Sequence, residues 1–145
     1  MDIELTDEEH LRALAALEAT VGNDDDALAV LTGGIGERPL PELLAAYGQH
    51  TLHRILIAAF GIDATMDHDE TGRLVTEINS DPMARMVFVL TDALHNQAAP
   101  AGDDPVTAKL IAGSILLAIH AFTDADNEDA LRLLHALRNE VLQAD

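Results

Sequence analysis

The sequence predicts an all-α fold: one helical domain over 1–145, a bundle of six or seven helices laid around a central apolar helix at 106–122. Three observations carry this. Apolar residues recur three and four positions apart through most of the chain, the spacing of helices that bury one face. Most of these runs open on an Asp or Thr of the kind that caps a helix start. Finally, in Val106–Phe122, VTAKLIAGSILLAIHAF, only Ser114 and His120 interrupt the apolar residues from Leu110 onward. Apolar side chains then point all round the helix, so it is expected to be covered on several sides. The small residues Ala108, Ala112, Gly113, Ala118 and Ala121 would let neighbouring helices approach it closely.

In chain order, Thr6-Asp7-Glu8-Glu9 forms a capping box, with Glu9 three residues after Thr6. The helix that follows places Leu11, Leu14, Leu17 and Val21 inward and ends near Gly22. Asp24, Asp25 and Asp26 open a short helix to about Leu31, and Gly33, Gly34 and Gly36 break the chain. Pro39 and Pro41 precede a long helix over Glu42–Phe60, stopped by Gly61. Asp69 begins a modest helix to about Ile78. Asp81-Pro82 supplies a cap and a first-turn proline for a helix to about Asn96, with Met83, Met86, Val87, Leu90 and Leu94 at helical spacing. Met86–Leu90 alone would also read as a strand, but no partner strand exists and the helical period runs past it. Gln97–Gly102 reads as a flexible linker, and Asp103-Asp104-Pro105 starts the central helix. Asp124–Glu128 opens a last helix with Leu131, Leu134, Leu137 (or Leu133), Val141 and Leu142 inward, expected to pair antiparallel with the central one.

Composition narrows the function classes. The formal net charge is −18, from 26 acidic against 8 basic residues, and Lys109 is the only lysine. Direct binding to nucleic-acid phosphates or to an anionic membrane is not expected of such a chain. Only 3% of residues are aromatic, so few large anchors are left for a sticky interface or for stacking on bases. There is no cysteine, which excludes disulfides, thiol nucleophiles and thiolate metal sites. Met1-Asp2-Ile3-Glu4 has neither the basic nor the apolar region of a secretory signal, and the apolar stretch is shorter than the about 20 residues of a membrane span. The expected location is therefore the cytoplasm.

Much of the acidity lies at expected helix starts, where negative charge interacts well with the helix dipole. That explains its position and not its excess, which costs self-repulsion. A salt-rich cytoplasm, a GC-rich genome and a carboxylate surface made for a basic partner would each produce it.

Other constellations are thinner. Asp67-His68-Asp69-Glu70-Thr71-Gly72-Arg73-Leu74 resembles the start of an EF-hand calcium loop. Asp67, Asp69, Gly72 and Leu74 match that pattern, but its twelfth position is Ile78 and Glu77 falls one residue short. Asp124-Ala125-Asp126-Asn127-Glu128 matches less, with Asp129 in the glycine position. His50 and His53, three apart with Arg54 beside them, share a helix face and would ligate a metal given a third ligand. Asp92 and His95 repeat the spacing, but the glutamates of a di-iron bundle are missing. Asp67, Asp69, His50 and His53 are thus the candidate metal ligands. The ordinary reading of the Asp67 stretch is an acidic helix cap in a solvated loop, and no metal and no cofactor is expected. His120 reads as a hydrogen-bonded core histidine, and Ser114 lacks a nucleophile elbow. Gly33-Gly34-Ile35-Gly36 lacks the Lys-Ser/Thr of a phosphate loop.

The leading expectation is a small acidic protein, more a binder than an enzyme, that docks on a basic protein surface. An inhibitor or nucleic-acid mimic of the phage anti-defence type has this size and charge. The expected contact residues are Asp124, Asp126, Glu128 and Asp129, with Asp24, Asp25 and Asp26. A helical enzyme or ligand-binding bundle with a pocket near His50, His53 and His120 is the alternative, and a structural subunit of a larger assembly is a third. A homodimer is compatible with all of them.

Overall fold

A computed structural model describes residues 4–32, 36–61 and 65–123. They form six α-helices: α1 Asp7–Val21, α2 Asp25–Leu31, α3 Leu40–Ala59, α4 His68–Ser80, α5 Pro82–Ala98 and α6 Pro105–Thr123. There is no strand among the described residues, and the Met86–Leu90 run lies inside α5. The expected last helix, and with it the antiparallel terminal pair, lies outside the described residues.

Local chemistry starts most of these helices. Thr6 Oγ1 accepts from Glu9 N at 3.1 Å while Glu9 Oε1 accepts from Thr6 N at 3.1 Å, the reciprocal box read from the sequence. Asp24, Asp67 and Asp81 each accept an N–H three residues on, from Ala27, Glu70 and Ala84. Asp104 accepts from Thr107 N at 3.2 Å and from the Thr107 hydroxyl at 2.8 Å. Between α1 and α2 the turn is made by Asn23 at φ 52°, a left-handed conformation that Asn tolerates better than most residues. Gly61, at φ 76°, follows the end of α3 as expected.

α3 begins two residues earlier than its sequence suggests. Its N-cap is Pro39, which offers no side-chain hydrogen bond. Instead Asp103 Oδ1, 63 residues away in the chain, accepts from Leu40 N at 2.9 Å. The segment read as a flexible linker is correspondingly short and tied down: α5 continues to Ala98, Gly102 turns the chain at φ 60°, and Asp103 docks on α3.

α3 and α6 form the most extensive helix pair, and α6 also packs on α1, α2 and α5. At their crossing Gly48 is pressed against Ile115: a Cβ on Gly48 would lie 2.8 Å from Ile115 Cδ1 and Cγ1. The larger core gathers Leu14 and Leu17 of α1, Leu28 of α2, Leu43, Leu44 and Tyr47 of α3, Leu94 of α5, and Ile111, Ile115 and Ile119 of α6. A second cluster joins Leu52 and Leu56 of α3 to Ile78 of α4, Val87 of α5 and Ala118 of α6. The described part of α6 is not covered all round. Ala108, Ile111, Ala112, Ile115 and Ile119 are buried, but Val106, Leu110 and Leu117 are 66%, 58% and 70% exposed. Helices α1, α3 and α5 meet one side of α6, seven-residue α2 reaches it too, and α4 packs on α5 instead. Gly113, expected at a close helix contact, has open space where a Cβ would stand.

Candidate functional site

The carboxylate surface is built on the α1–α2 hairpin. α1 opens on exposed Asp7 and Glu8, and α2 on exposed Asp24, Asp25 and Asp26. Arg12 holds the far end of α2: its Nε and Nη2 donate to Leu31 O at 3.0 and 2.7 Å, and its Nη1 donates to Arg38 O. The same guanidinium faces Glu37 Oε2 at 3.5 Å. Arg38 Nε meets Glu9 Oε2 at 3.1 Å, so Glu9 caps α1 with one oxygen and binds Arg38 with the other. These groups, with Thr6, Glu8 and Gly36, line an open cleft of about 610 Å³. At the other end of the hairpin Lys109 Nζ reaches Asp25 Oδ1 at 2.8 Å and Asn23 Oδ1 at 2.6 Å.

The three cations bordering the hairpin are therefore each held on one of the chain's own carboxylates. Asp24 is engaged in capping, and Asp25 in the pair with Lys109. Asp26 has no such task among the contacts described, and it projects from the first turn of α2 as outward charge, at the opposite end of the hairpin from Asp7 and Glu8. Asp124, Asp126, Glu128 and Asp129 lie outside the described residues. At the start of α6, Asp104 has its carboxyl held below the ordinary carboxylate range, first by the Thr107 hydroxyl and then by Thr107 N–H.

The candidate metal ligands separate. Asp67 caps α4, accepting from Glu70 N at 2.8 Å, and the span from His68 to Ser80 is helical instead of wrapping as a calcium loop does. Asp69 is exposed in the first turn of that helix, and Gly72 sits within it. On α3 the two histidines face different neighbours. The His50 ring meets the His10 ring edge-on at 5.4 Å between centroids, and His53 meets Phe88 edge-on at 5.2 Å. Among the described residues no three metal-ligating side chains are arranged so that they could hold one metal ion.

His10, on α1, is the residue that sequence reasoning missed. Its ring lies between His50 and Tyr47, the latter at 5.8 Å. No spacing within α1 announces it, because the pairing comes from how α1 lies on α3. His10, His50 and His53 line a cleft of about 460 Å³ with Glu4, Gln49, Arg54 and Ile57. Behind it Gln49 Oε1 accepts from His95 Nε2 at 2.6 Å. His120, expected to be a hydrogen-bonded core histidine, is only partly buried, and its buried Nε2 has no hydrogen-bond partner among the described residues.

No helix of the described residues is long and apolar enough to cross a membrane. Comparison with known proteins brings no match, whether against family models, curated proteins or solved structures.

Proposed function

We propose that this protein is a binding module that docks through the carboxylates of the α1–α2 hairpin onto a basic protein surface. The observation that carries the reading is the state of the neighbouring cations. Arg12, Arg38 and Lys109 are each engaged by a carboxylate of the chain, while Asp7, Glu8 and Asp26 face outward with the rest of a −18 charge behind them. A field of that kind accelerates encounter with a cationic partner and repels nucleic acid. Action as an inhibitor or nucleic-acid mimic within the cytoplasm fits this charge and the cysteine-free composition. Asp124, Asp126, Glu128 and Asp129 remain the sequence's other candidate contact residues.

The test begins with capture of partners from lysate at low salt, followed by titration of the purified partner. Two variants remove charge while leaving capping intact: Asp24→Asn with Asp26→Asn, since Asn caps as well as Asp, and Asp7→Asn with Glu8→Gln. Affinity is expected to fall about tenfold or more in each, with the melting temperature unchanged, and to weaken with added salt. A tight complex that ignores both salt and these substitutions would overturn the reading.

A second reading, a small-ligand site, is favoured by one observation: the helix packing brings His10 to His50 at the mouth of the 460 Å³ cleft. It requires a compound whose thermal stabilisation of the protein disappears in both His10→Ala and His50→Ala.

A further inference from the structure

We infer that the exposed stripe of α6 is the interface of a symmetric dimer, two copies of this chain meeting antiparallel about a twofold axis between Gly113 and Ser114. The stripe runs through Val106, Leu110, Gly113, Leu117 and Ala121, with Ser114 at its edge. Its three large residues are more than half exposed, and Gly113 opens onto free space. At 1.5 Å per residue it is about 22 Å long.

Two features select a second copy as the occupant. The first is self-complementarity. A twofold interface must match itself, residue i against j and j against i. About the midpoint of Gly113 and Ser114 the centre of the stripe mirrors itself, two leucines flanking two small residues, with a larger Val106 matched to a smaller Ala121 at the ends. Leu110 falls opposite Leu117 of the partner subunit and Val106 opposite the partner's Ala121, while Gly113 and Ser114 meet at the axis, where backbones must come nearest. The second is charge. Two chains of −18 repel wherever their carboxylates meet, yet α6 has no Asp or Glu from Pro105 to Thr123. Its one cation, Lys109, is already held by Asp25. A basic partner would find no carboxylate to pair with on α6 itself, whereas a like-charged copy meets none of its own carboxylates along the helix between Pro105 and Thr123.

A single helix pair buries less than the about 1,200 Å² at which stable complexes begin, so the dimer is expected to be a reversible, micromolar one. Its salt dependence has the opposite sign to that of the proposed basic partner. Screening relieves repulsion between the two acidic bodies, so added salt tightens self-association while it loosens partner binding. The two proposals therefore fail separately.

The test is sedimentation equilibrium of the full chain at low and high salt, with helix content checked by circular dichroism. Wild type is expected to approach twice the chain mass as concentration and salt rise. Leu110→Glu alone and Leu117→Lys alone should each weaken the dimer about tenfold or more without unfolding, since both positions are surface ones. The double variant Leu110→Glu/Leu117→Lys should recover it, because the register sets each new carboxylate against the partner's new ammonium. Ser114→Cys, the only thiol in the chain, should form a disulfide-linked dimer on oxidation. A monomer at every concentration and salt overturns the inference. If that monomer also protects the Ser114→Cys thiol from alkylation, another segment of the chain covers the stripe; if the thiol reacts freely, nothing does. Dimerisation that survives both single variants places the interface elsewhere and equally overturns it.

Discussion

At the scale of single residues, neighbours on α6 have opposite fates. Ile115 is fully buried against α3, whereas Leu117, two residues on, is 70% exposed. Ile115→Ala is therefore expected to cost about 2–5 kcal/mol and Leu117→Ala less than about 0.5 kcal/mol in urea unfolding at low protein concentration. Equal losses would mean that α6 is turned differently. Gly48 tests the same crossing from the other side. Alanine there would gain helix propensity of about 1 kcal/mol, but its Cβ would stand 2.8 Å from two carbons of Ile115. Overpacking of that kind costs about 1–3 kcal/mol, so a net loss is expected for Gly48→Ala, and a smaller one when Ile115→Ala is added than the two single losses together. A net gain in Gly48→Ala would show the helices free to move apart.

At the scale of helices, the caps decide where elements begin. Asp103 serves a helix it does not precede, and Asp103→Ala should destabilise by about 1 kcal/mol by leaving Leu40 N–H without its acceptor. Asp104 gives a pH signature. Its carboxyl titrates below the ordinary value of 3.8 because Thr107 donates to the charged form, through its hydroxyl first and its N–H second. A pKa lowered on folding stabilises the fold fully above that ordinary value, and the contribution is lost as pH falls through the lower folded one. Between about pH 5 and pH 3 the melting temperature of Asp104→Asn should therefore fall less than that of wild type, and an equal fall would remove Asp104 from the account. The same contrast explains what was legible in the sequence. Thr6, Asp24, Asp81 and Asp104 act within three residues of themselves, so their helices could be placed from the sequence. The early start of α3 could not, since its cap comes from another turn. Nor could the buried side of α6, because a helix apolar all round carries no periodic signal to say which face is covered. The His10–His50 contact was hidden for a third reason: it exists only once α1 lies across α3.

For the whole molecule, charge is the dominant fact. With −18 spread over 145 residues, carboxylates repel in the folded state more than in an expanded one. Potassium chloride raised from about 0.05 M to about 1 M shortens the screening length from over 10 Å to about 3 Å, and the melting temperature should rise steadily with it. Followed in the Leu110→Glu variant, the rise reports folding alone, without any share from self-association. A melting temperature that stays flat or falls would show that local pairs such as Lys109–Asp25 outweigh the long-range repulsion.

The position of α6 near the end of the described chain has a consequence for synthesis. Its isoleucines supply the wall against which Leu14, Leu17, Leu43 and Leu44 are buried, and the turn before it supplies the cap of α3. While the chain is being made, α1 to α5 emerge before that wall exists, and Leu14, Leu17, Leu43 and Leu44 lack the face of α6 they are buried against. Crowded nascent chains in that condition tend to stick to one another. Most of the acidic residues precede Asp103, so the growing chain is already strongly negative while its core is still open. The repulsion that weakens the finished fold thus keeps unfinished copies apart until residues 103–119 arrive to close it.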